Sequence, residues 1–136
     1  MNDDIFVDTL YLVARLNPKD QWHKASVELD AQIKGRHLVT TETVLLELLN
    51  FLAEFPPEMR RAAAQFTERA LIGSVMEVIL HTHDDFLKGL ELYRNRLDKG
   101  YSLTDCILMT SMREREVQHI LTHDGHFRQE GFTILL

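Results

Sequence analysis

The chain has one cysteine, Cys106, and only three prolines and six glycines among 136 residues. A lone cysteine excludes an internal disulfide framework and fits a reducing cytoplasm. No apolar run approaches the ~20 residues of a membrane span. The opening stretch MNDDIFVDTL is acidic where a signal peptide would carry a basic region. Neither a P-loop nor a G-x-G-x-x-G pattern occurs, and there is no internal repeat, low-complexity segment or interdomain linker. Positive charge is scarce as well. Fifteen Lys and Arg stand against 21 Asp and Glu, a net charge of −6. That balance argues against a protein that simply coats nucleic acid, which needs a basic surface. It leaves room for an enzyme that meets phosphates through metal ions.

What is present is an ordinary globular composition, 45% hydrophobic and 26% charged, enough for one domain over residues 1–136 with a real core. Punctuation is local: LNP, Gly35 and FPPE each end a segment. Apolar runs at 5–8, 37–41, 75–80, 119–122 and 132–136 read as strands. Helices are predicted over 9–16, 20–34, 42–55, 58–72, 83–97 and 102–115. In the second, Trp22, Ala25, Val27, Leu29 and Ile33 are candidate core contacts. In the fifth, Phe86, Leu87, Leu90, Tyr93 and Leu97 form the apolar stripe. Strands alternating with helices imply a three-layer α/β/α domain with a central parallel sheet of about five strands. In such sheets, ligands bind beyond the carboxyl ends of the strands.

That rule selects four acids. Asp8 follows the first strand and Asp124 the fourth; Glu47 and Asp105 lie early in helices. Each has a plain structural reading. Asp8 suits an N-cap for the helix at Thr9. Asp105 pairs with Ser102 as a capping box. Asp124 precedes Gly125, a common turn pair. Glu47 shares a narrow polar stripe with Thr43, Asn50 and Glu54, which suits either solvent or a cleft. Glu42 reads as a favourable charge at the helix start. Taken together, the four could converge on one sheet edge, where they would repel each other and resist ionising. A hard divalent cation, Mg²⁺ or Mn²⁺, would relieve that conflict and could activate water against a phosphodiester.

The stretches FVDTLYLVARLNPKDQWHKA, LVTTETVLLELLNFL, YSLTDCILMTSMRERE and ILTHDGHF together resemble the PIN-domain family, particularly small single-domain ribonucleases of the VapC toxin type. The likeness runs over nearly the whole chain in family order. It implies a Mg²⁺- or Mn²⁺-dependent endoribonuclease whose catalytic and metal-binding quartet is Asp8, Glu47, Asp105 and Asp124. It also implies an RNA substrate, an antitoxin partner and a homodimer. Thr9, Thr104 and Thr122 match small hydroxyl positions near the acids. Asp98 reads first as a loop residue, with a second-metal role as the alternative.

Other constellations read more plainly. His119, His123 and His126 cluster with Asp124, but no Cys pair or H-E-x-x-H frame supports zinc, and His123 reads as a rim residue. Cys106 reads as a small buried hydrophobe. Arg60, Arg61, Arg69, Lys88, Arg94, Arg96 and Lys99 are candidate backbone contacts for RNA, yet basic residues interspersed with acids usually form solvated faces, as do Arg113 and Arg115. The competing functions are a PIN-like module that binds RNA or protein without cutting, and another phosphate-handling α/β domain such as a receiver or phosphatase. The intact quartet favours cutting over binding, and no Lys follows a last strand as in receivers.

Overall fold

A computed structural model describes residues 2–136. The chain runs β1 (Ile5–Val7), α1 (Thr9–Leu16), α2 (His23–Gln32), β2 (Leu38–Thr41), α3 (Glu42–Phe51), α4 (Pro57–Leu71), β3 (Glu77–Ile79), α5 (His83–Arg94), α6 (Leu103–Glu114), β4 (His119–Leu121), α7 (Gly125–Gln129) and β5 (Thr133–Ile134). The five strands form one parallel sheet in the order β3-β2-β1-β4-β5. This is the expected architecture. No described helix is long and apolar enough to cross a membrane.

The central strands are covered on both faces, which is why they read as unbroken apolar runs. Ile5, Phe6 and Val7 are fully buried, as are Ile120 and Leu121. After β1 the chain winds outward through β2 to β3; it then crosses back to β4 and β5 on the other side. The winding therefore reverses between β1 and β4. A crevice opens at such a switch point, at the carboxyl ends of the strands.

Three expectations are corrected. First, α5 is turned by roughly 100° from the expected orientation. Phe86, Leu87, Leu90, Tyr93 and Leu97 are exposed, and the face against the protein is Gly89 and Leu92. The cause is close packing on α6: a Cβ added at Gly89 would lie 2.4 Å from Cγ1 of Ile107. A glycine lets two helix backbones approach where a bulkier stripe could not. Gly89→Ala gains helix propensity, but the clash is expected to outweigh it and cost about 1–3 kcal/mol. A lowered urea midpoint would show this; an unchanged or raised one would mean that Ile107 yields freely.

Second, α2 is shorter than predicted and nearly all peripheral. Only Ser26 is buried within it, and Ala25 and Val27 are exposed, although Leu29 and Ile33 do pack on the core. Its seat on α1 is polar instead. The Tyr11 hydroxyl donates to the Ser26 carbonyl (3.3 Å) and to Asp30 (3.1 Å), and the His23 Nδ1–H donates to the Ala14 carbonyl (2.7 Å). Third, residues 125–129 form α7, where only an Asp-Gly turn was expected. Strand and helix ends are otherwise trimmed by a few residues; α3 stops at Phe51 rather than Phe55.

Candidate active site

Asp8 leaves β1 with its amide still bonded to the Leu121 carbonyl of β4 (3.1 Å). It occupies the N-cap position of α1, yet its side chain caps nothing. The Thr122 hydroxyl, just past β4, donates to its Oδ2 at 2.8 Å. The carboxylate is thus turned across the switch point, away from the helix end it was free to close.

Asp105 does both things. Ser102 and Asp105 form a reciprocal capping box at the start of α6: the Asp105 amide donates to Ser102 Oγ (3.0 Å), and the Ser102 amide donates to Asp105 Oδ2 (3.2 Å). The other oxygen, Oδ1, receives no hydrogen bond from the described residues. Asp124 caps α7, its Oδ1 accepting the His126 amide (2.9 Å), and its own amide donates to Thr122 Oγ1 (3.0 Å). Thr122 therefore ties Asp8 and Asp124 together. On α3, Glu47 accepts the Thr9 hydroxyl on Oε1. Each of these hydrogen bonds fixes a carboxylate's direction through one oxygen.

The four acids feel one another. Asp8 is 3% exposed, and its carboxyl is pushed up to about 7, chiefly by burial and then by the negative charge of Asp105, with Glu47 adding to it. The Thr122 hydrogen bond works against this rise. Asp105 is pushed up to about 6, again first by burial; the Ser102 amide opposes the rise, and the charges of Asp124 and Glu47 add to it. So the structure brings Asp8, Glu47, Asp105 and Asp124 into one electrostatic cluster. The donor atoms of Asp105, Asp124 and His126 all lie within 4.8 Å of one another.

His126 is the residue that sequence reasoning passed over. It was weighed only within a zinc cluster, because without α7 nothing aimed it at the acids. Its Nδ1 lies 3.3 Å from Asp124 Oδ1 and 3.8 Å from Asp105 Oδ2, and its ring leans on Tyr101. Thr104 lines a groove of about 680 Å³ beside Glu47, together with Leu46, Asn50, Phe86, Leu103 and Ile107. Glu42, expected as a dipole partner, accepts the His81 amide (2.9 Å) and so ties the turn before α5 to α3.

Several basic residues are already engaged. Arg96 and Arg113 both pair with Glu130, which also accepts the Tyr101 hydroxyl; these partners hold the Glu130 carboxyl down to about 2, against the effect of burial. Arg115 pairs with Glu77, and Lys88 bridges Asp84 and Glu114. Asp98 stays near Lys99 on the surface (3.8 Å). Cys106 is fully buried and its thiol is pushed up to about 11 by burial, which fits a core residue.

A doubly covered parallel sheet with carboxylates gathered at its switch point defines an acid-centred α/β domain. The PIN domain family model matches residues 5–132, and the chain belongs to that family. Its fold is shared with VapC20 of Mycobacterium tuberculosis, a sarcin-ricin loop cleaving toxin: 27% identity, 95% of this chain and 96% of that one, TM-score 0.85. VapBC2 of Rickettsia felis, bound to a DNA fragment from its promoter, is similar at 15% identity over 97% of each chain, TM-score 0.66. A toxin–antitoxin complex from Klebsiella pneumoniae is similar at 14% identity over 97% of this chain and 96% of that one, TM-score 0.63. No curated protein sequence matches the chain.

Proposed function

We propose that the protein is a Mg²⁺- or Mn²⁺-dependent endoribonuclease of the toxin type, acting in the cytoplasm on RNA phosphodiesters. The observation that supports this reading is the gathering of donors at the switch point: those of Asp105, Asp124 and His126 lie within 4.8 Å of one another, beside Asp8, whose carboxyl is pushed up by burial and by the charge of Asp105. Oxygen-rich donors at such a point suit a hard divalent cation. Asp8, Asp105 and Asp124 would hold it, with His126 at the edge of the set. When bound, the cation supplies charge stabilisation and lowers the pKa of water.

The chain's own residues do the positioning. Glu47, held by Thr9, is the group that orients the attacking water and accepts its proton. Thr122 keeps Asp8 and Asp124 aligned, and Ser102 fixes Asp105. Attack by water in line with the departing 3′ oxygen, which takes up a proton from solvent as the P–O3′ bond breaks, leaves a 5′ phosphate and a 3′ hydroxyl. Incubation of total RNA with Mg²⁺ or Mn²⁺ should yield those ends, and EDTA or Glu47→Gln should suppress them. Cyclic 2′,3′ phosphates would overturn the mechanism. RNA retained but uncut would favour the alternative of a non-cleaving binding module.

Surface and relatives together suggest partners. On α3, Leu46, Leu49 and Phe51 are exposed, as is the apolar stripe of α5, more apolar surface than a lone helix pair needs. We assign the α3 side to a second copy of the chain, and the protein to an antitoxin partner as in the Klebsiella complex. Light scattering should give twice the mass of one chain, and Phe51→Asp should halve it without unfolding the protein. A monomer at all concentrations would remove the dimer.

A further inference from the structure

We propose that the stacked rings of Trp22 and His123 form a platform for a nucleobase of single-stranded RNA, next to the phosphate that is cut. The proposal rests on the ribonuclease reading above. The ring centroids are 4.6 Å apart with 9° between the planes. His123 stands between Thr122, which bonds Asp8, and Asp124. Consecutive Cα atoms are ~3.8 Å apart, so its ring is anchored within a nucleotide's reach of the acids.

Trp22 is the largest apolar side chain in the protein and its only tryptophan. It is partly exposed and does not pack against the hydrophobic core, although Leu29 and Ile33 of the neighbouring helix do. Among the described residues, neither its indole N–H nor the His123 ring forms a hydrogen bond. An aromatic pair outside the core, unbonded at its polar edges and beside an acid cluster, is suited to a flat ligand with polar edges.

Charge narrows the ligand further. The acid cluster repels RNA, and Arg96, Arg113, Arg115 and Lys88 are spent on ion pairs. Lys19 and Lys24, which flank Trp22 in sequence, are exposed and pair with no acid among the described residues. Stacking is indifferent to net charge and to base identity, because every base has a π-face. It gives an acidic protein a hold on RNA that phosphate contacts alone would not.

Because Trp22 is the only tryptophan, its fluorescence reports the platform directly. Asp8→Asn protein titrated with a random-sequence pool of short RNA single strands should show saturable quenching. An abasic ribose-phosphate strand of the same length should cause none. In the active protein, Trp22→Leu should raise KM for RNA by roughly five- to 150-fold while kcat stays within about twofold. Trp22→Phe and His123→Phe keep an aromatic face and should hold KM near the parent value, and both remain informative if the leucine variant folds poorly. If Trp22→Leu instead lowers kcat and Mn²⁺ affinity with KM unchanged, the stack merely holds the Asp124 loop and the proposal falls. Absence of quenching by RNA also overturns it. Should the parent cut no RNA in Mg²⁺ or Mn²⁺, the ribonuclease reading fails; quenching by RNA but not by the abasic strand would still uphold the platform.

Discussion

Asp8→Asn is expected to melt higher than the parent at pH 8 without divalent ions, and to cleave RNA more than about 100-fold more slowly. The stability half follows from the titration of one buried group. Asp8 ionises near 3.8 in the unfolded chain and at about 7 in the folded one. Below 3.8 both states hold the proton and the group is silent. As pH rises toward 7, the unfolded chain releases its proton while the folded protein keeps it, so stability is lost through that window. At pH 8 the ionised carboxylate costs the fold on the order of 4 kcal/mol. Asparagine keeps an oxygen to accept the Thr122 hydroxyl and carries no charge. Melting should therefore rise by about 10 °C at pH 8 and hardly at all at pH 4. The activity half follows because an amide is a poor cation ligand, and even partners one step removed from a metal are worth about 10–100-fold. Equal melting temperatures at pH 8 would mean that Asp8 is not strained; equal cleavage rates would remove it from the centre.

Mn²⁺ should stabilise the parent strongly at pH 8 and hardly at all at pH 5. At a concentration 100 times its dissociation constant, a ligand of the folded state adds about 2.7 kcal/mol. The cation must displace protons to bind. Between pH 7 and 6 it competes with one proton, on Asp8, and below 6 with a second, on Asp105. Apparent affinity should then fall about tenfold per pH unit in the first interval and approach a hundredfold per unit below it. Melting curves with and without Mn²⁺ from pH 5 to 8 measure this. A shift of equal size at both ends would place the cation elsewhere, and Asp105→Asn should flatten the lower part of the curve.

The strands were legible because a doubly covered parallel sheet leaves apolar runs, such as IFV in β1 and the IL of β4. Asp8 and Asp124 could be placed at one edge, since a residue just after a parallel strand has one edge to occupy; Asp105, on a helix that follows another helix, could not. Legibility failed where a contact depended on something small or polar. Gly89 carries no apolar signal, yet it decides which face of α5 is buried, and the bulky stripe beside it misled by its size. The α1–α2 contact rests on hydroxyl, imidazole and carbonyl groups that periodicity does not register. α7 has only five residues, too few to show a helical pattern, and without it His126 had no stated direction. The capping reading of Asp105 was right as far as it went. A carboxylate has two oxygens, and a sequence pattern accounts for only one.

The bond between Thr122 and Asp8 joins positions 114 residues apart, and this has a consequence for timing. At about 5–20 residues per second, a ribosome makes β1 with Asp8 several seconds before β4. Until β4 and the residues after it emerge, Thr122 cannot turn Asp8 inward, Asp124 is absent, and β1 lacks a neighbour on one side. A nascent chain therefore carries a half-built acid cluster until its last strands emerge. The acids come together late, with the closing of the sheet.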